Sequence, residues 1–108
     1  MVRSARRYDM YLPLTFNNGK PIPDELFISV ESRLLARFRG LTAQQKSFPL
    51  RGIWQGKSRL FLDQVITITA LDFRQNGSSR FFARLKTTLL QKFQQLAILI
   101  TESSLRVH

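Results

Sequence analysis

Arg51, Trp54, Lys57 and Arg59 are the densest set of chemistry-bearing side chains in this sequence. An exposed indole flanked by cations can stack on a base or an aromatic ligand while the cations hold its negative charge. Buried, the same indole would close one end of the core instead. Arg6 and Arg7 add two cations near the chain start, and these six residues form the expected polyanion-binding set. The overall charge agrees. There are 17 Lys+Arg against 7 Asp+Glu, a formal +10, and such an excess attracts polyanions at low salt. Much of it is scattered along the chain, which is also how an ordinary soluble surface looks.

Catalytic chemistry has few residues to draw on. With no Cys and a single His, His108, neither a Cys–His nor a Ser–His–Asp arrangement can be assembled inside the chain, and a zinc site of the usual type is excluded. The carboxylates that come nearest to a metal pair are Asp9 and Asp63. If their strands lie side by side and parallel, Asp9 falls near Gln64, and the two could share a Mg²⁺. The competing reading pairs each with one of Arg6, Arg7 and Arg59. No metal and no cofactor is expected. The glycines are isolated, so no phosphate cradle is written in the chain. Phe61 is the only aromatic residue on the strand where an RNA-recognition module would carry several.

The elements that must position these residues follow from periodicity. Tyr8 to Phe16 alternates with period 2 and reads as a strand, with Pro13 at a bulge or an end. Asn17 to Pro21 is a turn by composition. A helix follows Pro23, with Asp24 and Glu25 at its positive end and Phe27, Val30, Leu34 and Phe38 on one stripe; Gly40 is the expected terminator. Extended structure begins at Leu41, is interrupted by Pro49, and resumes at Gly52-Ile53-Trp54. Gln55-Gly56-Lys57 connects it to a long return strand over 58–71, so that Arg51 to Arg59 flank one hairpin. That strand is apolar on both faces and is expected to be central. Asn76-Gly77 marks a turn, and Ser78 or Ser79 caps a second helix bearing Phe82, Leu85, Leu89, Phe93 and Leu96. A last strand covers 97–101.

The two helical segments are also similar to each other. Residues 26–41 and 81–96 share Phe27/Phe82, Leu34/Leu89, Leu35/Leu90, Phe38/Phe93 and Leu41/Leu96. Two strand–helix–strand halves, 7–55 and 56–108, imply a ferredoxin-like α+β fold: a βαββαβ chain forming a four-stranded antiparallel sheet with both helices on one face. Residues 1–108 are read as one domain, with 1–6 a flexible arm. The bare sheet face would carry Tyr11, Val65, Thr67, Thr69, Leu71 and Leu99, half apolar, and is the expected surface of a homodimer. No membrane span is written in the sequence, and a cytoplasmic location is expected.

Leu12-Pro13-Leu14, Asn18-Gly19, Pro21-Ile22-Pro23, Phe27, Phe38, Gly40-Leu41-Thr42, Gly52-Ile53-Trp54, Gly56 and Asp63 together resemble a family of short bacterial proteins without an assigned activity. The likeness covers most of residues 8–71. It implies a small standalone domain and carries over no functional residue. This chain has Arg39 before Gly40, where that pattern has a second Gly.

The leading functional expectation is therefore a non-catalytic binding module for a polyanion, either nucleic acid or an acidic protein surface. Two alternatives are a small-molecule-binding or catalytic dimer with a pocket near Trp54, with Asp63 a candidate for its lining, and an interaction subunit that docks a partner on the bare sheet face.

Overall fold

The computed structural model describes residues 2–74 and 76–108. It is a mixed α/β domain with an antiparallel sheet and two helices. The order is β1 (Arg3–Pro13), α1 (Asp24–Phe38), β2 (Thr42–Ala43), β3 (Leu50–Gln55), β4 (Leu60–Asp72), α2 (Ser79–Lys92) and β5 (Leu99–Val107). The sheet runs β2-β4-β1-β5, with β3 also on β4. Five strands stand where four were expected, because the second is divided. Both β2 and β3 pair with β4, and the interruption holds Pro49, which cannot donate to a ladder.

Period 2 decides the faces. Tyr8, Met10 and Leu12 of β1 and Ile66, Ile68 and Ala70 of β4 are buried. Against them pack Phe27, Val30 and Leu34 of α1 and Phe82, Leu85 and Leu89 of α2, so both helices lie on one side of the sheet.

The internal similarity reappears as packing. Phe27 meets Phe93 edge-on at 5.3 Å, and Phe82 stacks on Phe38 at 5.7 Å. Each helical segment therefore presents a Phe near its start to a Phe near the end of the other, the exchange expected when two like segments run antiparallel. The correspondence fails at the margins: Leu41 is half-buried, whereas Leu96 is almost wholly exposed.

Two boundaries differ from the sequence reading. Residues 3–6 are not a flexible arm but the start of β1, paired with β5 from Arg3↔Val107 and with β4 from Arg6↔Asp72. They are ordered because β5 runs on to Val107 instead of ending at 101. The left-handed residue closing α1 is Arg39 (φ 65), whose N–H donates to Leu35 O, and not Gly40. The start of α2 agrees: Ser78 stands at its N-cap, although it makes no side-chain capping bond because its hydroxyl is engaged elsewhere.

A candidate anion-binding pole and an overhanging hairpin

The topology sorts the cations into two groups. The start of β1, the end of α1, the end of β4, the start of α2 and the end of β5 all meet at one end of the sheet. Arg3, Arg6, Arg33, Arg37, Arg74, Arg80 and Arg106 sit on those termini. Arg7 and Arg39 lie beside them on the open face. The hairpin of β3 and β4 is at the other end. Arg6 stands opposite Asp72 and Arg51 opposite Gln64, which at ~3.3 Å per residue puts roughly 25 Å of strand between them. The six residues expected to act together thus fall into two places: Arg6 and Arg7 at the pole, Arg51, Trp54, Lys57 and Arg59 on the hairpin.

A buried network builds the pole. Asp72 is 1% exposed. Its Oδ2 accepts from Ser78 Oγ at 2.5 Å, and its Oδ1 accepts from the Arg74 N–H at 2.9 Å. Ser78 Oγ in turn accepts from Arg37 Nε at 2.9 Å, while the Ser78 N–H donates to Tyr8 Oη at 3.0 Å. Arg74 also donates to the Arg37 carbonyl at 2.9 Å. One carboxylate thereby ties the end of β4 to the ends of both helices and to β1. Burial alone would raise the Asp72 pKa; the Ser78 and Arg74 hydrogen bonds outweigh it and hold the carboxyl below its usual range. For Tyr8, burial is the main cause of a raised pKa, partly opposed by the Ser78 N–H. Gly77 makes the turn into α2 with φ +68, and a Cβ there would stand 3.2 Å from Arg6 Cδ.

Two clefts open at this pole. One, about 510 Å³, is lined by Ser4, Arg6, Arg74, Ser104 and Arg106 over Ala5, Leu105 and Phe73. The other, about 570 Å³, lies on the open side, with Leu71, Phe73, Leu105, Phe38 and Leu41 as apolar lining and Arg7 and Arg39 among its walls. Among the described residues four ion pairs form: Arg6–Glu102 at 2.5 Å, Arg7–Asp9 at 3.0 Å, Arg74–Asp72 at 3.4 Å, and Lys46–Asp24. Arg3, Arg33, Arg37, Arg39, Arg80 and Arg106 take part in none of them. Arg37 is also held over the Phe81 ring at 5.0 Å and Arg3 over Phe73 at 3.9 Å.

The hairpin is an overhang. β1 ends at Pro13 opposite Val65, so residues 60–64 of β4 have only β3 as a strand neighbour. Trp54 pairs with Phe61 across it, and both are nearly half exposed. Trp54 therefore does not close the core. Its indole lies across Gly52, where an added Cβ would come within 2.8 Å of Nε1. Arg59 sits over Phe61 at 4.6 Å.

Asp9 and Asp63 are not brought together. Their strands are antiparallel, with Asp9 opposite Thr69 and Asp63 opposite Gly52, so roughly 20 Å of strand separates them. Asp9 accepts from Arg7 Nε and from Thr69 Oγ1 at 2.5 Å. Among the described residues no group of three potential metal-ligating side chains occurs, and no helix is long and apolar enough to cross a membrane.

No family profile matches the chain, and no curated protein matches it. Among solved structures it is similar to a phage SAM lyase in complex with S-methyl-5'-thioadenosine. The TM-score is 0.58 over 95% of this chain and 88% of that one, at 12% identity. At that identity the likeness shows the fold alone.

Proposed function

We propose that this is a divergent ferredoxin-like domain acting as a non-catalytic binding module for a polyanion, engaged through the arginine pole. The observation that carries the reading is the gathering of arginines from five element ends at one pole, where Arg6, Arg74 and Arg106 line one cleft. Guanidinium groups suit phosphate because each offers a planar fork of donors. Those at the pole are partly pre-positioned by Ser78, Phe81 and the Arg37 carbonyl, which lowers the ordering cost of binding. Arg51, Lys57 and Arg59 are exposed at the far end of the strand and would contribute general charge.

The test is fluorescence anisotropy with single-stranded and duplex oligonucleotides over a salt series. Arg37→Gln with Arg106→Gln should flatten the slope of log K on log salt by about 1 to 2. Arg51→Gln with Lys57→Gln should change it less. Equal loss from both pairs, or no binding at low salt, would sink the reading.

A second reading is a small-molecule-binding or catalytic protein with its site at Trp54. Trp54, Phe61 and Asp63 share one side of the hairpin, an aromatic platform beside a carboxylate, and the similar phage enzyme holds a thioadenosine. Added S-methyl-5'-thioadenosine should then raise the melting temperature, and Trp54→Ala should abolish the rise.

A further inference from the structure

We infer that the open sheet face and its overhanging hairpin form the contact with a second copy of this chain, related by a two-fold axis passing near Thr67. Positions 61, 63, 65, 67, 69 and 71 follow one another along the side of β4 away from the helices, with Phe73 just beyond its end; Val65 is buried there and Thr67, Thr69 and Leu71 are half-buried. Leu50 and Trp54 stand beside the lower half of that row on β3. Leu50, Trp54, Phe61, Phe73 and Leu99 are each 39–48% exposed, in total on the order of 450 Å² of apolar surface, the size of the largest and often functional patches of monomers. That is over half of the ~800 Å² each partner contributes to a standard interface, before the half-buried Tyr11, Leu41 and Leu71 are added. A two-stranded overhang is also marginal in water without a covering surface.

The chemistry of the row selects a second copy as that surface. Two sheets stacked face to face about Thr67, with strands reversed, lay Phe61 on the partner's Phe73 position and Asp63 on Leu71. In each chain Leu71 is the cross-strand neighbour of Arg7. Each Asp63, exposed and in none of the ion pairs, thus arrives beside the Arg7 and Arg39 of the open-side cleft. Trp54 meets that cleft at Gly40 and Leu41, where no side chain of the same molecule fills the space next to Gly40. The contact is self-complementary, acid to base and aromatic to apolar cleft, which is what a two-fold interface demands. Arg6, Arg74 and Arg106 lie on the helix side of the sheet, so the positive poles do not face each other across it.

Sedimentation equilibrium and cysteine cross-linking test this on the full chain. The wild type should be dimeric, and Phe61→Glu, at an exposed position, should weaken dimerisation at least ~tenfold with the circular dichroism spectrum unchanged. Asp63→Arg should weaken it as well, and Asp63→Arg combined with Arg39→Asp should restore it in part. Since the chain has no Cys, Thr67→Cys should cross-link to itself with a short bismaleimide. Asp63→Cys should cross-link only when mixed with Leu71→Cys. A wild-type monomer, a dimer indifferent to Phe61→Glu and Asp63→Arg, or a face covered only by a different protein would each overturn the proposal.

Discussion

Replacing Asp72 by Asn probes the network that holds the pole together. The side chain is 1% exposed and accepts from Ser78 Oγ and from the Arg74 N–H. Asparagine keeps the shape but removes the charge and one acceptor oxygen. The Arg74 N–H can still be satisfied, whereas Ser78 Oγ must turn and Arg37 loses its link to the carboxylate. Hydrogen bonds to a buried charge are worth about 1.5–3 kcal/mol each, and breaking a buried charged group's pairing costs about 3–5. With the isosteric amide recovering part of this, the expected loss is about 3 kcal/mol. For a domain of this size that lowers the melting temperature by roughly 10–20 °C. The pH dependence gives a second readout. A carboxyl whose folded pKa lies below its unfolded value contributes stability above the unfolded value, near 4, and loses it as pH falls through the folded pKa. Urea denaturation of wild type and variant from neutral pH downward should therefore show curves that converge in acid. A loss below ~1 kcal/mol at neutral pH, or curves that stay parallel into acid, would refute the assignment of Asp72 as the hub.

Other outcomes follow from the same geometry. Arg39 holds a left-handed conformation that costs a non-glycine residue about 1 kcal/mol, so Arg39→Gly should raise stability by about that amount in chemical denaturation. Tyr8 has a raised pKa from burial; its contribution is complete below its unfolded value near 10 and is lost as pH rises further. Tyr8→Phe should cost about 1 kcal/mol at neutral pH and show a weaker alkaline decline, followed by thermal denaturation. Gly52→Ala should displace the Trp54 indole from its place across the strand, seen as a shift of the tryptophan emission with little change in melting temperature.

Apolar periodicity placed the two helices, the central position of β4 and the Phe positions of the core, and Pro49 marked the interruption of the strand before it. These are properties of neighbouring residues and of a stripe or face that must be buried, so they are visible along the chain. The like segments at 26–41 and 81–96 marked Phe27/Phe82 and Phe38/Phe93 as equivalent positions; that Phe27 meets Phe93 and Phe82 meets Phe38 came from the packing. The ordering of Arg3 to Arg6 was hidden, because a polar β-strand at the chain start is ordered only by partners contributed by β4 and β5. Arg39 as the left-handed residue was likewise hidden, since the adjacent glycine was the cheaper choice.

The site divides in the same way. The sequence determined that cations are in excess, that Cys–His, Ser–His–Asp and the usual zinc arrangements lack their residues, and that Arg51 to Arg59 share a hairpin. Only the tertiary structure decided which charges meet. Arg33 and Arg37 read from sequence only as charge complementing the end of a helix, and Arg74 and Arg106 carried no signal, because the three elements that bring them together are far apart in the chain. The signal was available only by asking which element ends the order of strands and helices brings to one side. Asp72 was invisible for a related reason: a carboxylate between a strand and a turn looks like any loop residue until Ser78, Arg74 and Arg37 close around it. Asp9 and Asp63 were the reverse case, two residues whose types invited pairing and whose antiparallel register keeps them apart. Residue type and local spacing specify what each segment is; convergence in space depends on strand direction and register, which are set by the packing of the whole chain.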